Sequence, residues 1–413
     1  MRRTLVAVMA MAVITPVALA ACGKDDDKGA NAWMSTPSAG ASASAGADSS
    51  REESATVPIS LAVTPATGKT DVPVSAEIGF KLAGGKVTTV TMKDSAGKAV
   101  AGTLREDGSA WVPSAPLKTK QKYTASVVAT ADDGSTKTAA TSFTTMGKPG
   151  KKTGTGLYLF DDRTYGVAMP VVVEFSPGVK KADRAAVQKR MFVTTTPAQP
   201  GVWSWTPNGT QAYYRGPEFW KSGTELKVRI AVGGLPTGGG RYGDRDRAAT
   251  AKIGRSFEMK VDNRTKKMTV LQDGKTIKTM PVSLGKKGTP SSSGVMVVME
   301  KKEATVFDTT DTDGADGYVT DIEFAQRLTW SGQYIHSAPW SVGDQGRRNV
   351  SHGCVNVAPG NARWLFDRTL IGDPVTVKGT GDKLSYGNGW TPWDKPWSEF
   401  IKGSALPVPA NLK

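Results

Sequence analysis

Residues 334–357 read YIHSAPWSVGDQGRRNVSHGCVNV. This stretch holds both histidines of the 413-residue chain, His336 and His352, and one of its two cysteines, Cys354. A thiol is a useful nucleophile only as a thiolate, and a neighbouring imidazole can take its proton. The same residue types also bind zinc, but the spacing lacks the paired ligands that are typical of zinc sites. The stretch therefore predicts a cysteine nucleophile and no metal, while spacing alone leaves open which histidine is the base.

The N-terminus predicts export. Arg2 and Arg3 precede an apolar run that begins at Leu5, which is the layout of a secretory signal. The run is at the short limit for a span of the bilayer. It ends in LAAC, which resembles the bacterial lipobox, where the peptide is cut before a cysteine that is then lipidated. Residues 1–21 are thus predicted to be a lipoprotein signal peptide, with Cys22 as the lipid anchor on the outer face of the cell membrane, facing the cell wall.

A lipidated Cys22 leaves Cys354 as the sole free thiol of an exported protein. Exported proteins usually pair their cysteines or lack them. An unpaired cysteine is either reactive or buried and inert. Because His352 lies two residues away, the reactive interpretation is favoured.

Composition divides the rest of the chain into segments. Residues 22–55 are rich in Ala, Ser and Gly and predict a disordered tether. Residues 56–146 contain short Val- and Thr-rich runs between turn residues, which is typical of an Ig-like β-sandwich. Residues 147–254 show similar runs, and a related Ser-Phe motif stands near the end of each segment, at 142–143 and 256–257. We therefore expect two tandem sandwiches.

The last two segments differ from these. Residues 255–380 alternate as strands do, with an Asp-Gly hairpin signal at 273–274. They contain one convincing helix, which begins at Pro359 and ends before Gly372. Residues 381–413 carry three tryptophans and are expected to pack against another domain. The expected fold is mainly β: two sandwiches, a β-rich domain with one short helix, and a Trp-rich C-terminal extension.

The net charge of +15 raises the question of a polyanionic partner. Residues 147–254 carry 17 basic and 8 acidic residues, whereas residues 255–379 carry 17 and 14. The lipobox argues against the cytoplasm and hence against nucleic acid. Anionic wall polymers or lipid surfaces are the expected partners, with solvated surface charge as the alternative. No oligomerisation signal is evident, so a monomer is expected.

A resemblance decides between the chemical alternatives. His336, a loop and then Ser351-His352-Gly353-Cys354 followed by an apolar residue and Asn356 resemble the signature of the L,D-transpeptidases, the YkuD-type catalytic domain. The likeness covers roughly residues 255–379. The tether, the two sandwiches and the Trp-rich extension also look like the multidomain actinobacterial members.

The resemblance implies a role for each matching residue. Cys354 would be the nucleophile and His336 the base that takes its proton. Ser337 would orient His336 through its carbonyl, and His352 would shape the site. The amides of Gly353 and Cys354 would form the oxyanion hole. The residues implied to bind substrate are Tyr318, Ser331, Gly332, Trp340, Ser351 and Asn356.

The implied reaction is acyl transfer without a metal or organic cofactor. The thiolate would attack the carbonyl between diaminopimelate and the terminal D-alanine of a tetrapeptide stem. An amine of a second stem would then attack the thioester, which cross-links two third-position residues. Carbapenems, which acylate the family's cysteine, would be inhibitors.

Two rival functions stay open at this point. A thiol hydrolase resembling an L,D-carboxypeptidase would use the same residues with water as the acceptor. A non-catalytic lipoprotein would bind wall polymer through its sandwiches.

Overall fold

The computed structural model describes residues 58–308, 310 and 319–413. The predicted signal peptide, the tether, Cys22 and Tyr318 lie outside the described residues. In the described part of the chain, no helix is long and apolar enough to cross a membrane.

The first described strands form two four-stranded sheets that face each other. These strands are β1 Ser60–Thr64, β2 Lys69–Val72, β3 Ile78–Ala83, β4 Lys86–Asp94, β5 Gly102–Leu104, β6 Ala110–Pro113, β7 Lys122–Thr130 and β8 Thr136–Thr145. One sheet has the order β1-β3-β6-β5 and the other β2-β8-β7-β4. Ile78, Trp111, Val127 and Phe143 are buried between them, because alternate residues of each strand point inward.

A second pair of sheets follows. Its elements are β9 Lys151–Leu157, β10 Arg163–Tyr165, β11 Val171–Ser176, α1 Arg184–Gln188, β12 Met191–Thr196, β13 Val202–Trp205, β14 Gln211–Arg215, β15 Glu225–Ile230, β16 Pro236–Gly238, β17 Arg241–Gly243 and β18 Arg247–Ile253. The sheet orders are β10-β18-β15-β12 and β13-β14-β11-β9-β17-β16. Trp203, Trp205 and Trp220 lie in the core of this region.

The third region contains the motif. Its elements are β19 Phe257–Asp262, β20 Lys267–Gln272, β21 Lys275–Pro281, β22 Ser292–Val297, β23 Glu300–Asp308, β24 Val319–Arg327, β25 Tyr334–Ser337, β26 Val355–Val357, α2 Pro359–Arg368, β27 Pro374–Lys378 and β28 Asp382–Lys383. The two sheets have the orders β21-β20-β19-β27-β22-β28 and β23-β24-β25-β26. The domain boundaries inferred from the sequence remain predictions.

Two local predictions for this region are confirmed. Asp273 and Gly274 have φ of 49° and 78°, as a two-residue turn of the primed type requires, and they join β20 to β21. Helix α2 begins at Pro359, as predicted, and ends at Arg368. Proline suits the first helical position, since the amide it lacks would have no partner inside the helix.

The C-terminal extension packs against the second pair of sheets, as predicted. Besides β28 it contains α3 Trp397–Phe400 and short 3-10 segments at Pro392–Asp394, Ile401–Gly403 and Ala410–Leu412. The guanidinium of Arg215 lies over the rings of Trp393, Trp397 and Phe400, 4.5, 5.2 and 4.3 Å from their centroids. Trp393 Nε1 also donates to the carbonyl of Ala168 at 2.7 Å. The chain thereby returns to the second pair of sheets after completing the third region.

Candidate active site

The parallel pairing of β25 with β26 brings the two ends of the motif together. The register pairs Ile335 with Val355 and His336 with Asn356. Ile335 and Val355 are fully buried in the core, so alternation directs His336 and Asn356 to the opposite face. Cys354 directly precedes β26 and lies on the same face as Asn356. An imidazole and a thiol 18 residues apart in sequence therefore line one pocket.

The imidazole of His336 is buried and has a defined tautomer. Its Nδ1 lies 2.8 Å from the carbonyl oxygen of Ser337. Because a carbonyl only accepts, Nδ1 carries the hydrogen and Nε2 keeps a lone pair in the neutral ring. Burial lowers the pKa of His336, although the Ser337 carbonyl acts in the opposite direction. The ring is thus held neutral, with Nε2 as the basic nitrogen.

The thiol of Cys354 is also buried, with 8% of the residue exposed. Its Sγ donates to the carbonyl of Gly332 at 3.6 Å. Burial raises the pKa of Cys354 to about 12, and a backbone hydrogen bond with Tyr334 only partly offsets this effect. Burial disfavours the anion because a thiolate loses its hydration there. The resting pair is therefore a neutral thiol and a neutral imidazole.

The Ser-His-Gly-Cys turn is tied together by hydroxyl groups. Ser351 Oγ donates to the carbonyl of Cys354 at 2.6 Å and accepts from the amide of Gly353 at 3.2 Å. Ser291 Oγ donates to the carbonyl of Gly353 at 2.7 Å. Gly353 has φ of +122°, a conformation that L side chains rarely adopt, and a Cβ there would meet nothing within 4 Å. The turn thus presents bare backbone beside the thiol.

His352 occupies a different place from His336. Its Nε2 lies 2.8 Å from the ammonium of Lys286. His352 lies in the pocket wall beside Cys354. Since a lysine ammonium has no acceptor, the geometry makes Nε2 of His352 the acceptor in this bond.

The pocket gathers most of the residues that the sequence singles out. It has a volume of about 320 Å³ and is lined by Thr320, His336, Trp340, Val350, Ser351, His352, Cys354 and Asn356. Ser337 contributes its carbonyl to His336, and Gly332 contributes its carbonyl to Cys354. Ser331 is exposed on the loop just before β25, and Tyr318 lies outside the described residues.

Asn356 offers a polar group to the pocket. It is 2% exposed, and its Nδ2 donates to Ser341 Oγ at 3.1 Å. Its Oδ1 is buried and has no hydrogen-bond partner among the described residues. A buried acceptor without a partner is costly.

Sequence reasoning missed four residues of the site. Thr320 and Val350 line the pocket, while Lys286 and Ser291 hold His352 and Gly353. Thr320 follows Tyr318 by two residues, so strand alternation could have found it. Nothing in the local pattern around Lys286 or Ser291 points to the site, because their partners lie more than 60 positions away.

The chain is similar to known proteins. A bacterial Ig domain model matches residues 69–236, and an L,D-transpeptidase catalytic domain model matches residues 256–377. L,D-transpeptidase 2 from Mycobacterium tuberculosis (strain CDC 1551 / Oshkosh) is 33% identical over 350 residues, which covers 84% of this chain and 85% of that protein. This chain belongs to the L,D-transpeptidase family. L,D-transpeptidase 5 from M. tuberculosis (strain ATCC 25618 / H37Rv) is 34% identical over 359 residues, 85% of this chain and 78% of that protein.

A solved structure of LD transpeptidase LdtMt1 in complex with imipenem is also similar. It matches at 32% identity with a TM-score of 0.47, covering 56% of this chain and all of that chain. The two relatives matched over 85% and 78% of their own length carry the family assignment. The predicted family, the enzyme class and the mainly β fold with an Ig-like region before the catalytic domain are confirmed. This L,D-transpeptidase acts on peptidoglycan, and therefore outside the cytoplasm.

The described part of this L,D-transpeptidase shows no group of three His, Cys, Asp or Glu side chains that could hold a metal ion. Within the described residues, His336, His352 and Cys354 are not part of such a group.

Proposed function

We propose that this L,D-transpeptidase joins two third-position diaminopimelate residues through a thioester on Cys354. The observation that carries the proposal is the neutral His336, whose basic Nε2 shares one pocket with the Cys354 thiol. A neutral base beside a neutral thiol suits proton transfer during attack. The raised pKa of Cys354 keeps the thiol unreactive towards solvent electrophiles until a substrate is in place.

In the first step, Sγ attacks the carbonyl carbon between diaminopimelate and D-alanine, and the thiol proton moves to His336 Nε2. The amides of Gly353 and Cys354 receive the developing oxyanion. The Gly353 amide also donates to Ser351 Oγ at 3.2 Å, so it exchanges this partner for the oxyanion. The C–N bond then breaks, His336 protonates the leaving amine, and D-alanine departs from the thioester.

In the second step, a side-chain amine of another stem attacks the thioester carbonyl. His336 takes a proton from this amine and returns it to the departing sulfur of Cys354. One amide bond has been broken and one formed, so no oxidant, metal or cofactor enters the balance. His352 shapes the pocket beside Cys354 through its bond to Lys286.

The peptide stem is proposed to bind through the residues inferred from the motif. Asn356 would contact the stem from the pocket wall, and Trp340, which is 57% exposed, would cover the stem. Ser331 and Gly332 would contact it from the loop before β25, and Tyr318 from the segment before β24. Carbapenems would acylate Cys354, in keeping with the imipenem complex of LdtMt1.

We further propose that lipid on Cys22 anchors the protein to the outer face of the membrane. The basic residues between 147 and 254 would then meet anionic wall polymers. These two proposals rest on the sequence alone.

The test is intact-protein mass of purified full-length enzyme incubated with a disaccharide-tetrapeptide. Wild type should gain a transient adduct equal to the stem minus D-alanine, whereas Cys354→Ala and His336→Ala should not. The exposed Asn411→Leu serves as a control that should behave as wild type. A cross-linked dimer identifies a transferase and free tripeptide a hydrolase. Wild type without adduct and without released D-alanine overturns the proposal.

A further inference from the structure

The six residues 328–333 join β24 to β25 and form what we call the 328–333 loop. Its ends are closed by two bonds of Gln333, whose carbonyl accepts from the Leu328 amide at 2.8 Å and whose amide donates to Thr329 Oγ1 at 2.9 Å. The carbonyl of Gly332 accepts from Cys354 Sγ at 3.6 Å. The position of the loop therefore decides where the thiol proton points before catalysis.

One residue of the C-terminal extension holds the exposed apex of this loop. Asn388 Oδ1 accepts from the amide of Ser331 at 2.9 Å, and Asn388 Nδ2 donates to Ser331 Oγ at 2.8 Å. The two residues are 57 positions apart in sequence. Two bonds between one side chain and one residue fix orientation as well as distance.

Asn388 is itself held by its neighbours. Gly389 has φ of +102°, and a Cβ there would come within 2.9 Å of the Leu328 carbonyl. The Gly389 carbonyl accepts from Tyr213 Oη of the second pair of sheets at 2.9 Å. The ring of Trp390 lies 5.2 Å from that of Tyr158, from the same region. The extension thus links the second pair of sheets to the loop that contacts the thiol.

We infer that Asn388 is a positioning residue for acyl transfer, an inference that rests on the proposed role of Cys354. It acts through Ser331 and Gly332: it keeps Ser331 at the stem-binding edge and the Gly332 carbonyl within reach of the thiol. A small misplacement of such groups costs a large part of the rate. If Asn388 had only a structural role, its replacement would lower stability. The acylation rate would then not depend on whether the new side chain keeps the contact with Ser331.

The experiment compares Asn388→Leu, which is similar in size and loses both bonds, with Asn388→Asp, which keeps the acceptor for the Ser331 amide. Asn411→Leu makes the same chemical change at an exposed position of the extension. The measured quantities are the acylation rate with disaccharide-tetrapeptide, the thermal midpoint, and hydrogen–deuterium exchange of residues 328–333.

We expect Asn388→Leu to acylate roughly tenfold more slowly than wild type, with faster exchange of the 328–333 loop. Asn388→Asp should recover most of the rate, and Asn411→Leu should match wild type. The inference is overturned if Asn388→Leu acylates at the wild-type rate. It is also overturned if Asn388→Asp and Asn388→Leu lose the same acylation rate and the same thermal midpoint. Hydrogen–deuterium exchange of the 328–333 loop does not depend on acyl transfer. An inert wild type would show that the proposed function is wrong, while the exchange data would still test whether Asn388 holds the loop.

Discussion

The ring of Phe307 lies edge-on to the imidazole of His336, with 5.6 Å between the ring centroids. Phe307 comes from β23, so an element far from the motif covers the proposed base. This ring excludes water from one side of the imidazole. Water exclusion is the main reason why the pKa of His336 is lowered.

Phe307→Ala should raise the pKa of His336, because water regains access to the imidazolium. The base works only when neutral, so the acid limb of the acylation rate should move to higher pH. We expect a larger loss of rate at pH 6 than at pH 8, because more of the imidazole is protonated at the lower pH. Val306→Ala is the matched control, since Val306 is adjacent and 56% exposed. If the ratio of the rate at pH 6 to the rate at pH 8 is the same in Phe307→Ala as in wild type, the ring does not control the pKa of His336.

Cys354 should behave as a thiol with a high pKa in the resting enzyme. Since burial raises this pKa to about 12, the thiolate fraction grows with pH throughout the range from 7 to 10. Alkylation by iodoacetamide should therefore rise continuously over that range and be at least about tenfold slower than that of free cysteine at pH 7.5. Intact mass reports the reaction, and Cys354→Ala gives the background. A plateau below pH 8 would mean that the resting enzyme holds a thiolate.

Arg215 should anchor the C-terminal extension. It is 2% exposed, and burial lowers its pKa to about 10, which leaves the guanidinium charged at neutral pH. It also donates to the Lys395 carbonyl at 2.8 Å. Arg215→Ala removes this bond and the three aromatic contacts, so we expect a loss of about 2–4 kcal/mol. Thermal unfolding measures this loss, and exchange of residues 388–400 shows whether it lies in the extension.

Arg245→Ala provides the control for this change, since that side chain is 70% exposed and should have little effect. If Arg215→Ala unfolds at the wild-type temperature with unchanged exchange, the cluster does not hold the extension.

The sequence predicts local features of this molecule, such as turns and helix starts. It says little about contacts between segments that are distant in the chain. The Asp-Gly turn and the start of α2 at Pro359 follow from backbone preferences of single residues, so both are predictable. The hydrogen bonds between Asn388 and Ser331 depend on how two distant segments meet, and neither residue type predicts them. The resting state of Cys354 is similar: a nearby histidine suggests an activated thiol, whereas burial, which only the fold reveals, raises its pKa.

Asp373 should make the stability of the protein depend on pH. It lies between α2 and β27, is fully buried, and accepts from the Leu370 amide through Oδ2 at 2.7 Å. Its Oδ1 has no hydrogen-bond partner within the described residues. Burial raises its pKa to about 7, although Arg255 and Lys301 act in the opposite direction.

A raised pKa means that the folded state binds the proton more tightly than the unfolded state. The stabilisation is therefore complete below about pH 4, where an unfolded aspartate titrates, and is lost as the pH rises through 7. Asp373→Asn cannot ionise. It should gain on the order of 4 kcal/mol over wild type at pH 8, and this gain should vanish near pH 4. Thermal midpoints across that range measure it, with Asp367→Asn, which is 51% exposed, as the control. A difference between Asp373→Asn and wild type that does not change with pH would show that the carboxyl group is ionised in both states.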